Sequence, residues 1–344
     1  MKFFGQQVRS FNMEITNKCA LACPECERTG NAWVKKNLTE LPVDLVQKLF
    51  PVSEWERFAG IKINLCGTFG DCIYHTRFHD IVRHLKEVGF ALNVETNGSF
   101  RPPEWWEKTC DLLREEDEIT FSVDGLKDTN HIYRINSRWE DIYAAMKVCA
   151  PRVRVLWKFI VFLHNEHQLE EAKRLAKELG VREILFKKSA RFRAVDPLAP
   201  QTDNFIGTVA RNRQKIRALV EQGASLEEQD RQVSIRPKCV FGRSLAISAT
   251  GRFFPCTSCE GSEADSWFHQ NQERFSLKDW PLEEILNGPQ WSDLQKLWEQ
   301  ASQAPKVCFR TCGVHRGFEQ AYAAESRSTR PNKPEDEVSF ELSK

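Results

Sequence analysis

Cys19, Cys23 and Cys26, in the stretch CALACPEC, put three thiols into one short segment, enough to present three thiolates to one point. A structural zinc needs a fourth protein ligand, whereas a 4Fe-4S cube held by three cysteines leaves one iron open to bind another molecule. Soft thiolates suit both metals, and His75 and Cys66 are candidate fourth ligands. Spacing alone therefore leaves iron-sulfur, zinc and inert buried thiols open. The chain carries 12 cysteines, several in short-spaced groups, which argues for reduced, metal-binding thiols rather than disulfides.

The elements that must position such a loop are legible in the flanking pattern. From residue 11 to about 190, short apolar or β-branched runs alternate with amphipathic stretches at a period suited to βα units. The strand candidates are FNMEIT, IKINLCG, ALNVETNG, EITFSVDG, VRVLWKFIVF and REILFKK. Between them RFHDIVRHLKEVG, PPEWWEKTCDLLRE, RWEDIYAAMKVCA and HQLEEAKRLAKELG read as helices, with Gly89 and Gly180 where two of them should stop. Six right-handed units with near-continuous apolar strands make a parallel sheet that curls into an incomplete TIM-like barrel, a partial (β/α)6 fold. Functional groups on such sheets gather at the C-terminal strand ends. There the cysteine loop follows the first strand, Gly70-Asp71 the second, Thr96-Asn97-Gly98 the third and Ser122-Val123-Asp124-Gly125 the fourth. Each token alone is ordinary turn chemistry; together they share one rim.

Composition narrows the class. With 49 basic against 48 acidic side chains and 41% hydrophobic residues, the chain reads as a globular enzyme with no bulk pull toward nucleic acid. The first residues lack a continuous apolar segment, and LWKFIVFL is too short for a membrane span and carries Lys158. A cytoplasmic location and no membrane partner are expected.

The loop spacing C-x3-C-x2-C and the rim residues resemble the radical S-adenosylmethionine (radical SAM) superfamily. The resemblance implies a SAM-binding 4Fe-4S cluster on Cys19, Cys23 and Cys26. LCGTFGDCIYHTRFHDI is similar to the family's second-strand motif, so Gly70 and Asp71 would meet the SAM amino group. Ser122 and Asp124 look like the fourth-strand contacts to the ribose or methionine part. Arg134, in HIYRINSRW, would meet the SAM carboxylate, and Asn165 is similar to a fifth-strand asparagine of the family. An acid and a guanidinium holding the two ends of a zwitterion suit charge-assisted hydrogen bonding. The plain alternatives are a turn-capping Asp71, a solvated Arg134 and a buried strand hydroxyl at Ser122. Two positions depart from the pattern: Glu25 stands where many members carry an aromatic residue, and Cys72 where proline is common. Cys72 is expected to be a packing substitution.

Downstream, Cys239, Gly251, Cys256, Cys259, Cys308 and Cys312 resemble the twitch subclass of the SPASM-type extension, with FSLKDWPLEEILNGPQWSDLQKL similar to its helical insert. A hairpin turning at Thr250-Gly251 would bring Cys239 and Cys256 together. Cys239, Cys256, Cys308 and Cys312 are the expected ligands of an auxiliary 4Fe-4S cluster. Cys259 is a fifth candidate, and a four-cysteine structural zinc is the alternative composition. Cys110 and Cys149 fall within helical patterns and are expected in the core.

The expected organisation is a radical SAM partial barrel over 1–195, a helical linker over 196–235, a small α+β auxiliary-cluster domain over 236–323 and a flexible tail over 324–344. From Lys187 to Arg243 there are 12 basic and 6 acidic residues; a solvated helix is the expected reading, an entry for an anionic substrate the second. The implied activity is reductive SAM cleavage to a 5′-deoxyadenosyl radical that abstracts hydrogen from a small-molecule or peptide substrate. Net oxidation through the auxiliary cluster, and a flavodoxin- or ferredoxin-type electron donor, belong to the same implication. RNA modification and a zinc-binding scaffold are the rivals. Tyr74, Glu25 and Cys72 lie near the expected mouth, and no sequence pairing singles one out.

Overall fold

A computed structural model describes residues 1–187, 189, 197–201, 208–241, 245–260, 266–319 and 337–341. Six parallel strands, β1 (Ser10–Met13), β2 (Lys62–Leu65), β3 (Ala91–Thr96), β4 (Glu118–Ser122), β5 (Arg154–Ile160) and β6 (Glu183–Lys187), pair in chain order. These are the six strands expected from the sequence, and they form the mostly parallel α/β sheet of a partial TIM-like barrel. The sheet also holds a seventh parallel strand, one arm of the hairpin expected at Thr250-Gly251, whose pairing with the barrel the sequence pattern does not announce. Leu245–Ile247 (β7) pairs with β1, and Phe253–Phe254 (β8) turns back antiparallel on it. Three apolar residues are too short to read as a strand by themselves; pairing with β8 and with the free edge of β1 makes them one.

The helices α1 (Phe78–Val88), α2 (Pro103–Leu112), α3 (Trp139–Cys149) and α4 (Leu169–Leu179) fall on the expected stretches. In α1, Phe78, Ile81, Val82 and Leu85 recur at helical spacing and are all buried. The helices α1 and α4 stop at Gly89 (φ +96°) and Gly180 (φ +78°), left-handed positions that a Cβ would strain. Alternation along the strands assigns the two sheet faces. Phe11, Ile63, Leu92, Val94, Phe121 and Trp157 are buried toward the helices, each worth about 1.5–3 kcal/mol of apolar burial. Asn12, Asn64, Asn93 and Thr120 stand on the opposite, inner face. Cys110 and Cys149 are buried between α2 and α3.

A continuous apolar core joins the barrel to the C-terminal segment, with Phe3 packed on Phe253 and Trp291 at ring distances of 5.8 and 5.0 Å. Within that segment α5 (Thr208–Glu221) precedes a two-stranded pairing of Val233–Ile235 with Gly313–His315. The short helix α6 (Thr257–Glu260) packs on α7 (Lys306–Cys312). Of the tail expected to be flexible, Glu337–Glu341 (β9) pairs antiparallel with β6 at the far sheet edge; the rest of it lies outside the described residues, as does most of 188–196. The open edge of β6 is what turns EVSFE, a polar and β-branched run, into a strand. Among the described residues no helix is long and apolar enough to cross a membrane.

Candidate functional site

The three-cysteine loop leaves the C-terminal end of β1 and is pinned on both sides. Asn17 donates from Nδ2 to the Asn37 carbonyl (2.9 Å) and accepts the Thr39 N–H (2.7 Å), while Lys18 pairs with Glu40 at 2.9 Å. Leu21, Tyr133 and Phe162 form an apolar collar around Cys19, Cys23 and Cys26. Burial first, then the Asp71 charge, pushes the Cys19 thiol up to about 12, and burial raises Cys23 against the opposing pull of Arg134. Cys19 feels Cys23, and Cys23 feels Cys26, so the three thiols share one neighbourhood. Three thiols in one apolar collar are of the chemical type that suits a soft cation, whose binding would release their protons.

Next on the rim is the loop after β2. Glu14, just beyond β1, accepts the N–H groups of Phe69 (2.7 Å) and Gly70 (2.9 Å). Gly70 lies so close to the first-strand loop that a Cβ would come within 1.9 Å of the Thr16 carbonyl oxygen. Asp71 is buried and caps the turn Cys72–Tyr74 through the Ile73 N–H (3.3 Å). Its second carboxylate oxygen accepts Thr96 Oγ1 (3.1 Å), the Asn97 N–H (2.6 Å) and the Asn97 side-chain amide. Burial raises it to about 6 even though these bonds and Arg134 oppose the shift. In place of a freely presented acid, Asp71 joins the β2 and β3 tips, and Asn97 passes the link to Cys19 Sγ at 3.8 Å.

At the fourth strand end, Arg134 Nε donates to Asp124 Oδ2 (2.6 Å) and Asp124 Oδ1 accepts the Ile160 N–H (2.7 Å). Asn165 donates both amide hydrogens inward, to the carbonyls of Asp124 (2.9 Å) and Ile160 (3.0 Å), and accepts the Phe162 N–H (2.7 Å). Asp124 and Asn165 therefore hold the β4 and β5 ends in place. Arg134 is the cation of the rim: burial alone would lower its pKa, but Asp124 outweighs that, and its field reaches Cys23, Asp71 and Glu95. Ser122 is half-buried on the inner face.

The candidate fourth ligands behave differently from each other. His75 is committed through both ring nitrogens, Nε2 to the Leu41 carbonyl (3.0 Å) and Nδ1 to the Arg77 N–H (2.9 Å). It is a structural histidine. Cys66 lies inside the barrel, 3.6 Å from Asn12 Oδ1, with its thiol raised by burial. Cys72 packs with Sγ 3.5 Å from the Glu95 carbonyl, and Tyr74 Oη donates to the Ser99 carbonyl (3.4 Å). Glu25 is exposed.

In the C-terminal segment, Gly251 (φ +79°) turns the β7–β8 hairpin as expected, its N–H bonded to the Ser248 carbonyl at 2.9 Å. Cys239 is raised by burial and then by Cys256, Cys312 and Cys308. Cys312 is pushed up to about 12, by burial first. Cys259, 3.4 Å from Cys256 through sulfur, is raised by burial and by Cys256 and Cys308, while the same contact lowers Cys256 to about 7. All five downstream cysteines therefore converge, Cys259 included. Among the described residues no group of three or more Cys, His, Asp or Glu side chains is placed to hold a metal ion, so ligand assignments rest on the chemistry and spacing of the thiols.

Sequence reading passed over the inner-face charges. Lys158 on β5 pairs with Glu95 on β3 at 2.9 Å, reaching across β4. The signal was present as single polar residues interrupting the apolar runs, in ALNVET and VLWKFI.

Comparison with known proteins adds the lineage. The family model for the radical SAM superfamily matches residues 13–184, half of the chain. The tungsten-containing aldehyde ferredoxin oxidoreductase cofactor-modifying protein of Pyrococcus furiosus is 27% identical over 209 residues, 56% of this chain and 53% of the relative. The chain thus spans about half the length of that relative. Among solved structures, Streptococcus suis SuiB bound to S-adenosylmethionine superposes with a TM-score of 0.58 at 11% identity, covering 84% of this chain and 68% of SuiB. SuiB has also been crystallised bound to its precursor peptide SuiA. Native anSMEcpe with bound AdoMet gives a TM-score of 0.52 at 14% identity, covering 89% and 88%. At these identities the structural likeness speaks to fold alone.

Proposed function

The chain belongs to the radical SAM superfamily, and from that premise we propose that Cys19, Cys23 and Cys26 hold its SAM-binding 4Fe-4S cluster. Such a cluster with SAM, when bound, supplies reductive cleavage to methionine and a 5′-deoxyadenosyl radical able to abstract hydrogen. The observation that carries the assignment is convergence. Three neighbouring thiols, the Asp71–Asn97 link and the Arg134 guanidinium meet on one rim at the C-terminal strand ends.

In this reading the protein's own groups bind, orient and exclude water. Arg134, held by Asp124, takes the SAM carboxylate, while the Gly70 backbone, brought against Thr16, offers polar groups to the SAM amino end. Asp71 and Asn165 act as positioning residues, because their hydrogen bonds fix the β2–β3 and β4–β5 tips. Ser122 faces the same cavity. The collar of Leu21, Tyr133 and Phe162 keeps water from the thiols.

We assign a second, auxiliary 4Fe-4S cluster to Cys239, Cys256, Cys308 and Cys312, with Cys259 as a competing ligand, and a net oxidation of substrate to the pair of clusters. The convergence of the five thiols supports this, as does a fold likeness to SAM-bound enzymes that extends beyond the barrel. A flavodoxin- or ferredoxin-type donor would supply the electron. The relative from Pyrococcus furiosus is described as cofactor-modifying and SuiB takes a peptide, so a small molecule and a peptide are both chemically reasonable substrates.

The test is the iron, sulfide and zinc content of anaerobically purified protein beside the Cys19→Ala/Cys23→Ala/Cys26→Ala variant, with 5′-deoxyadenosine assayed after reduction. About eight irons falling to about four, with deoxyadenosine lost, is expected. Zinc in place of iron at both cysteine groups would overturn the radical reading in favour of a metal-binding scaffold.

A further inference from the structure

A closed TIM barrel fills its interior with layers of branched apolar side chains. Here the inner face carries polar groups on β1 to β4, with Leu156 and Leu185 apolar on β5 and β6. At mid-height Asn12, Asn64 and Asn93 lie in register on β1, β2 and β3, with Asn64 Nδ2 bonded to Asn12 Oδ1 at 3.1 Å, and Thr120 on β4 donates to Asn93 Oδ1 at 3.0 Å. Directly above this layer stands the Glu95–Lys158 ion pair, 2.9 Å between Oε2 and Nζ. The side chains remain 31% and 28% exposed, so a ligand entering the barrel can reach them.

Folding does not account for the pair. Drawing two charges out of water toward the middle of a sheet is roughly neutral or unfavourable compared with apolar residues of the same size, and the sheet's cohesion comes from its other face. The pair is carried by strands rather than loops, which fixes its geometry as a binding site needs. It also lies close to the rim. Ser122 is the register partner of Lys158, and Asp124, which holds Arg134, follows two residues later, about 7 Å further along the strand direction.

We propose that Glu95 and Lys158 anchor the substrate, and that this substrate carries a free amino-acid moiety, its carboxylate taken by Lys158 and its ammonium by Glu95. The inference rests on the radical SAM reading and names the substrate class for it. Charge balance selects the class. A neutral or singly charged ligand that parts the pair leaves Glu95 to the more distant Lys187 and Arg134, or Lys158 to the more distant Glu118, whereas a zwitterion gives both a contact partner. The neighbouring asparagine amides can both donate and accept, and would select among side chains.

The experiment is calorimetric titration of the anaerobically purified, SAM-loaded protein with the twenty protein L-amino acids, and of each binder's amide and N-acetyl forms. At least one amino acid should bind about tenfold or more tightly than either blocked form. Lys158→Met should erase the preference for acid over amide, and Glu95→Gln the preference for amine over N-acetyl. SAM affinity and substrate-free deoxyadenosine formation should stay unchanged. If a single variant fails to fold because one charge is stranded, Glu95→Gln/Lys158→Met removes both and should lose both preferences. Three results would overturn the proposal: no amino acid binding to a wild-type protein that does cleave SAM, unchanged preferences in the variants, or loss of SAM binding in place of amino-acid binding. Failure of the wild type to form deoxyadenosine strikes the enzymatic reading instead, and the binding preferences still decide the anchor.

Discussion

Gly70 is the position at which the rim depends on the absence of a side chain. A methyl group there would stand 1.9 Å from the Thr16 carbonyl oxygen and 2.7 Å from the Asn17 Cα. A comfortable carbon–oxygen contact is about 3.3 Å, so something must move by about 1.4 Å. Both obstructing atoms are backbone and cannot rotate aside, and the segment they belong to leads directly into Cys19. Gly70→Ala should therefore cost about 1–3 kcal/mol of stability by overpacking. It should lower deoxyadenosine formation by about 100-fold or more, since a shift of about 1 Å at reacting groups has that effect. The assay pairs urea unfolding with deoxyadenosine release after anaerobic reduction. Gly30, at the end of the short helix Glu27–Gly30 that follows the cysteine loop, is the matched control. No atom lies within 4 Å of its Cβ position, so Gly30→Ala should change stability by less than about 0.5 kcal/mol. A Gly70→Ala protein with wild-type stability and wild-type SAM cleavage would refute the close-approach argument.

Further expectations concern charge and metal content. Asp117 is fully buried and accepts the buried Lys86 ammonium (2.7 Å) and the Leu92 N–H (2.7 Å); Asp117→Ala should lower the urea-unfolding free energy by about 3 kcal/mol, because the Lys86 ammonium then keeps the neutral Phe90 carbonyl (2.8 Å) and, as counter-charge, the half-exposed Glu116. Burial alone would raise Glu40, but the Thr76 hydroxyl and Lys18 outweigh it and hold its pKa below 4.5. A lowered folded-state value stabilises above the unfolded pKa and is lost on acidification. Glu40→Gln should thus be less stable than wild type at pH 7, with the gap closing below about pH 4.5; a constant gap across urea titrations from pH 3 to 7 would exclude this role. Replacing Cys239, Cys256, Cys308 and Cys312 together by alanine should remove about four irons and leave substrate-free SAM cleavage intact. Retention of about eight irons would remove these residues as ligands.

The sequence by itself determined the parallel barrel and the location of its rim. Apolar runs alternating with amphipathic stretches define β1 to β6 and α1 to α4, and left-handed glycines at 89 and 180 mark helix ends through local backbone sterics. The cysteine loop was legible because its thiols are neighbours along the chain. Tertiary structure decided what depends on distant residues. That Asp71 spends its carboxylate on Thr96 and Asn97, that Asn165 ties Asp124 to Ile160, and that His75 is committed to Leu41 and Arg77 follow from loops meeting across separate strands. The same holds for the place of β7 beside β1, whose edge is free to pair, and for Cys259, brought to Cys308 by the packing of α6 on α7. Glu95 and Lys158 are 63 residues apart. Local pattern shows each as one polar residue in an apolar strand, and only the strand order, with β4 between them, brings the two charges together.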